Sequence, residues 1–130
     1  MSDYTIVNLR GLEDVAPRFG QGPDLQARFA KNDLGCEQTA VSLQRLAPRA
    51  RMPFGHKHVA QEELYVVVDG DGAFRLGENV VPVARWDALR VPPGTMRSFE
   101  AGPNGIEVLA FGAPMGERND AEMVEGWWGD

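Results

Sequence analysis

The sequence predicts an all-β barrel or sandwich, and three observations carry that reading. Strand-length runs are bounded by Gly, Pro, Asn and Asp at intervals of roughly ten residues. Fifteen glycines and nine prolines are spread along 130 residues rather than pooled in linkers. No stretch before residue 115 holds a helical period, so nothing competes with the strand pattern. A chain of this length closes one core, and 43% hydrophobic with 25% charged residues is ordinary for a soluble globular domain.

Taken in order, Tyr4-Thr5-Ile6-Val7 reads as an edge strand, Arg18 to Pro23 as loop, Leu25 to Ala30 as a short strand and Asn32 to Gly35 as a turn. From Gln38 to Leu46, Thr39, Val41 and Leu43 alternate with Gln38, Ala40, Ser42 and Gln44, a half-buried strand. Which of its faces lines the interior is a matter of register that the pattern leaves open. Pro48 ends that run, and Pro53-Phe54 leads into Gly55-His56-Lys57-His58. Glu62 to Val68 is a strand, and Asp69-Gly70-Asp71-Gly72 supplies the positive-φ residues of a hairpin, with Ala73 to Leu76 returning. Gly77 to Asn79 turns again into Val80 to Val83, where Pro82 demands an edge or a bulge. Asp87 to Val91 closes at Pro92-Pro93-Gly94. Met96 to Ala101 and Ile106 to Phe111 form the last expected pair, joined by Gly102-Pro103-Asn104-Gly105. The tail is acidic until Trp127-Trp128, whose area demands cover from the barrel itself or from a dimer partner.

A net charge of -6, with no stripe of Lys and Arg, argues against a nucleic-acid surface. Cys36 is the sole cysteine, so no intrachain disulfide forms; it reads as structural, and a reducing compartment is the simpler expectation. No run is apolar enough for a signal peptide or a membrane span, which makes the cytoplasm the expected location. There is no nucleophile triad, and Gly70-x-Gly72 is turn chemistry rather than a phosphate loop.

The chemistry gathers at His56 and His58, the only histidines in the chain. In an extended strand side chains two apart leave the same face, so both imidazoles enter one space. With Glu63 from the next strand they make a 2-His-1-carboxylate set, which suits Fe(II), Mn or Zn. Tyr65 and Val67 share the Glu63 face. Tyr65 therefore either brings its hydroxyl to the site or is a core tyrosine with a satisfied hydroxyl.

These residues resemble the cupins. The first cupin motif is written Gly-x5-His-x-His-x3-4-Glu-x6-Gly, and His56, His58, Glu63 and Gly70 match it, with Ala50 at the leading glycine. The second is written Gly-x5-Pro-x-Gly-x2-His-x3-Asn; Pro92 and Gly94 match, while Trp86, Arg97 and Ala101 depart. The resemblance implies a jelly-roll barrel, or double-stranded β-helix, over residues 38–112, with a lead-in at 1–37, a tail at 113–130 and the site inside the barrel. It also implies a homodimer, and a fourth ligand where Arg97 stands. Arginine stays protonated and offers no lone pair, so two outcomes compete. In one, His56, His58 and Glu63 hold a divalent metal with open positions. Arg97 then orients a small carboxylated metabolite for an oxygenase or isomerase reaction, Tyr65 standing beside it. In the other no metal binds, Arg97 pairs with Glu63, and the barrel binds a small molecule without catalysis. Charge separates them: at about 5 Å and an effective dielectric near 20, each unit of metal charge repels the guanidinium by roughly 3 kcal/mol.

Overall fold

The computed structural model describes residues 3–114 and 120–129. Eight strands dominate: β1 (Leu25–Phe29), β2 (Ala40–Leu46), β3 (Phe54–His58), β4 (Glu62–Leu76), β5 (Asn79–Ala84), β6 (Ala88–Val91), β7 (Arg97–Ala113) and β8 (Ala121–Glu125). Helical geometry among the described residues is confined to two 3-10 turns, Leu9–Gly11 and Ala16–Phe19, and one α turn, α1 (Lys31–Leu34), where a plain turn was expected. The strands form a single antiparallel sheet ordered β1-β2-β7-β3-β8, with β4 pairing β5, β6 and β7. The all-β expectation holds.

Two long strands make the spine. β4 and β7 run antiparallel from Glu62 opposite Ala113 to Leu76 opposite Arg97. The expected hairpins at Asp69–Gly72 and Gly102–Gly105 are not formed; both segments are corners inside continuous strands, where the ladder slips between Val67 and Asp69 and between Gly70 and Gly72. Glycine is required there because the backbones touch. A Cβ on Gly70, whose φ is 73°, would strike the carbonyl oxygen of Gly105, and one on Gly72 would strike that of Glu100. A bulged corner and a hairpin ask for the same residue types, which is why composition misled here. The hairpin that does form is at Gly77-Glu78, between β4 and β5. Among the described residues β5 pairs with β4 alone, an edge position that suits Pro82.

The expected strand at Tyr4–Val7 is absent, and Tyr4 and Ile6 stand 72% and 82% exposed. The following segment is tied down by side chains instead of a ladder. Arg10 Nη2 donates to Glu107 Oε1 at 2.5 Å, and Arg28 Nε donates to the Leu12 carbonyl at 3.1 Å. β2 is settled by its pairing: Ser42, Gln44 and Leu46 lie opposite Ala110, Val108 and Ile106, all three of which are buried, so that face turns inward. Leu43, on the other face, is buried as well, with the Leu9–Gly11 turn against its strand.

Inside, Tyr65, Val67, Phe74, Val91, Phe99 and Val108 are almost fully buried. Phe74 and Phe99 are paired across the β4–β7 ladder and stack with centroids 5.0 Å apart, and Tyr65 tilts onto Phe74 at 4.9 Å. This aromatic stack fills the barrel behind the site. The tail closes the molecule. Its residues 115–119 lie outside the described residues, but β8 pairs with β3 along its length, Ala121 opposite His58 and Met123 opposite His56. Trp127 and Trp128 pack on their own barrel. The Arg75 guanidinium lies 4.0 Å from the Trp127 ring centre, Arg51 lies 4.4 Å from that of Trp128, and Trp128 Nε1 donates to Ser98 Oγ at 2.9 Å.

Candidate metal centre

Three strands deliver the site. β3 carries His56 and His58 on one face, as the spacing requires. β7 meets β3 at His56 opposite Arg97, and β4 places Glu63 opposite Gly112 of β7 and Val91 of β6. The result brings together all five residues that the sequence singled out. One ligand atom from each of His56, His58 and Glu63 lies within 4.8 Å of the other two.

The donors converge on one oxygen. Glu63 Oε1 is 3.3 Å from His56 Nε2, 3.6 Å from His58 Nε2 and 3.4 Å from Arg97 Nη1, and it accepts a hydrogen bond from the Tyr65 hydroxyl. Burial alone would push the Glu63 carboxyl up. Hydrogen bonds with His56 and Tyr65, and the nearby His58 imidazole, outweigh it and hold the group well below the usual carboxylate range. Tyr65 moves the other way: burial first, and then the Glu63 charge, raise its hydroxyl well above the ordinary tyrosine value. It therefore stays protonated and donates. Both sequence alternatives for Tyr65 are true at once, since it is 1% exposed and its hydroxyl is satisfied by the site.

Arg97 is also 1% exposed. Beyond Glu63, its Nη2 donates to the Pro92 carbonyl at 3.1 Å, while Nε has no partner. The guanidinium thus lies behind Glu63 rather than in the open mouth, where His56 is the more exposed imidazole.

Behind His58 stands a residue that sequence reasoning missed. Asp120 Oδ1 is 2.7 Å from His58 Nδ1, and Oδ2 accepts from the backbone amides of Ala60 at 2.7 Å and Gln61 at 3.0 Å. Those amide bonds and the His58 contact outweigh the effect of burial and hold the Asp120 carboxyl at about 2. His58 shows the same balance in reverse. Burial disfavours its cation, but the neighbouring Glu63 carboxylate and the hydrogen bond with Asp120 prevail and raise its pKa above the ordinary 6.5. The only sequence signal for Asp120 was the acidic character of the tail, which does not single out one residue.

The residues fit a divalent ion. Two imidazoles and an ionised carboxylate are a suitable donor set, and His58 Nε2 is buried without a hydrogen-bond partner, as a ligand atom waiting for an ion would be. The positive Arg97 beside Glu63 is the one opposing feature. A surface cleft of about 460 Å³ elsewhere, lined by Asp71, Val83, Asp87 and Glu100 among others, contains none of these side chains. Two of its acids are already engaged: Glu100 with Arg51 at 2.9 Å, and Asp87 with the Ala84 amide at 2.8 Å.

No protein-family model matches the chain. An uncharacterized protein of Methanocaldococcus jannaschii is 30% identical over 71 residues, which span 54% of this chain and 57% of that relative. The chain thus matches little more than half of that relative's length. Solved structures resemble it over much more. A cupin protein from Bacteroides fragilis superposes with a TM-score of 0.73 at 22% identity, over 92% of this chain and 91% of that one. Streptomyces Pac13 with uridine, a protein described as a nucleoside dehydratase, superposes at 0.74 and 21% identity, over 96% and 93%. Oxalate decarboxylase of Bacillus subtilis superposes at 0.75 and 19% identity, over 92% of this chain and 32% of that one. No helix among the described residues is long and apolar enough to cross a membrane. With its strand order, its two bent central strands and these neighbours, the chain has the cupin fold, a double-stranded β-helix.

Proposed function

We propose that this chain holds a divalent metal, Fe, Mn or Zn, through His56, His58 and Glu63, and acts on a small anionic metabolite as an oxygenase or isomerase. One observation carries the reading: three ligand atoms gathered within 4.8 Å, one of them the buried and partnerless His58 Nε2. That solved neighbours on this fold include enzymes supports catalysis as a class, without choosing the reaction. A bound ion supplies Lewis acidity and, if it is iron, dioxygen chemistry.

The chain's own residues set the surroundings. Glu63 stays ionised, and Tyr65 stays a neutral donor that fixes the carboxylate. His56 marks the open side, where a ligand approaches. From behind Glu63, Arg97 adds a permanent positive charge to the site, which favours an anion. To grip a substrate carboxylate directly it must exchange Glu63 for the substrate. A cytoplasmic location and a homodimer belong to the same proposal; Leu64 and Phe111, paired and exposed on neighbouring strands, suit self-association.

A second reading has its own support in the Arg97–Glu63 contact of 3.4 Å. It is a metal-free barrel that binds a small molecule without catalysis, as the alternative sequence reading holds. Elemental analysis of protein purified without added metal separates the two. Wild type is expected to carry about one metal per chain and His58→Ala to carry none. A wild type that is metal-free and takes up neither Fe(II), Mn nor Zn leaves only the binding protein.

A further inference from the structure

His58 differs from an ordinary buried histidine in having one nitrogen held and the other unused. Nδ1 is 2.7 Å from Asp120 Oδ1, whereas Nε2 is buried, 3.6 Å from Glu63 Oε1, and without a hydrogen-bond partner. A carboxylate can only accept. Both neighbours are carboxylates, but a neutral imidazole has one proton. At 2.7 Å Asp120 holds it on Nδ1, while Glu63 at 3.6 Å lies outside hydrogen-bond range, which leaves the Nε2 lone pair free inside the site.

Asp120 is not an accidental neighbour. Its second oxygen accepts two backbone amides, Ala60 and Gln61, so both oxygens are engaged and its rotamer is fixed. It precedes β8, whose first residue, Ala121, lies opposite His58 in the β3–β8 ladder. That strand is anchored in turn by the stacking of Trp127 on Arg75 and the hydrogen bond from Trp128 to Ser98.

The geometry points to Asp120 as a positioning residue of the metal centre. Its carboxylate, carried by the C-terminal segment, holds His58 in the Nδ1–H form and so presents the Nε2 lone pair to the ion. The inference rests on the metal reading above, but its first half, control of the tautomer, is testable without any metal. Outer carboxylates of this kind orient ligand imidazoles and strengthen them as donors; losing one typically weakens metal binding roughly 10–100-fold.

Asp120→Asn is the informative variant. Its amide oxygen can keep the Ala60 and Gln61 hydrogen bonds, while its amide nitrogen becomes a donor facing Nδ1. The imidazole then has to move its proton to Nε2, which removes the lone pair from the site. Asp120→Ala removes both functions and reports the structural share by thermal unfolding. The chain has only two histidines, so 15N NMR of the imidazoles at a pH where they are neutral resolves His58, with His56 as internal reference.

In metal-free wild type His58 is expected in the Nδ1–H form, and in metal-free Asp120→Asn in the Nε2–H form, with the His56 signals unmoved. Affinity for added Zn, read by competition with a chelating dye, should fall roughly 10–100-fold in Asp120→Asn. A wild-type His58 already in the Nε2–H form, or a tautomer unchanged by the substitution, overturns the proposal. So does a reversed tautomer with unaltered Zn affinity. If the tautomer reverses while neither protein takes up Zn, Fe(II) or Mn, the metal reading is what fails, and Asp120's hold on the imidazole stands.

Discussion

His56 and His58 share a strand face and a carboxylate partner, yet they live in different places. His58 is buried, braced from behind by Asp120, and keeps an unused nitrogen inside the site. His56 is about three times as exposed at the side chain, 21% against 7%, and sits at the mouth with its Nε2 3.3 Å from Glu63. Their rings meet edge to face, with centroids 5.0 Å apart. The difference teaches that a shared strand face fixes direction only. What is packed against it, here Asp120 immediately before β8, decides which imidazole is braced and which is open to solvent.

The harshest way to break the comparison is to remove what the two imidazoles have in common. Glu63→Gln should abolish metal uptake and cost about 3 kcal/mol in urea unfolding, because Arg97 is left as a buried cation with its charge partner gone. A loss below about 1 kcal/mol would mean that Arg97 finds compensation elsewhere.

Next come the histidines themselves. His58→Ala should cost about 2 kcal/mol of stability, since it strips a partner from the ionised Asp120 and leaves a void. His56→Ala, at the more exposed imidazole, should stay within about 1 kcal/mol. Equal losses in the two variants would erase the distinction between a braced and an open imidazole.

A smaller effect should appear with pH. His58 has its folded pKa raised above 6.5, so its contribution is fully present below 6.5 and is lost as pH rises through the folded value. Asp120 is depressed from 3.8 to about 2, so its contribution is present above 3.8 and is lost as pH falls toward 2. The pair therefore stabilises most between about pH 4 and 6.5, and urea unfolding of His58→Ala should lack that maximum. Metal uptake should run the opposite way at the upper end, improving as His58 sheds its proton.

The smallest expected effect is at the anchor. Trp128→Phe removes the hydrogen bond to Ser98 and should cost about 1 kcal/mol, with metal affinity unchanged. A drop in affinity would show that the anchoring of β8 reaches the site more strongly than its separate contacts suggest.

Much of the site was legible because it depends on short-range rules. The two-residue spacing in β3 put His56 and His58 together, and alternation in β4 put Tyr65 on the Glu63 face. Arg97 was placed by motif spacing, not by any local pattern, and the structure sets it against Glu63. Asp120 was not legible, because its place depends on the register of β8 against β3, between segments some sixty residues apart. The misread hairpins have a different cause. Asp69–Gly72 and Gly102–Gly105 hold the right residues for reversing a chain, and only the pairing of β4 with β7 along both halves reveals that each merely bends. Tyr4–Val7 had strand-like composition with no ladder to join.

The corner where Gly70 and Gly72 press on the carbonyls of Gly105 and Glu100 has a consequence for saturation mutagenesis. Both positions should tolerate almost nothing, as severely as a ligand residue does, although neither offers an atom to an ion or a substrate. Intolerance at His56 should be relieved in assays that score folding alone, while intolerance at Gly70 and Gly72 should persist in every assay. That contrast sorts the residues that shape this barrel from those that use it.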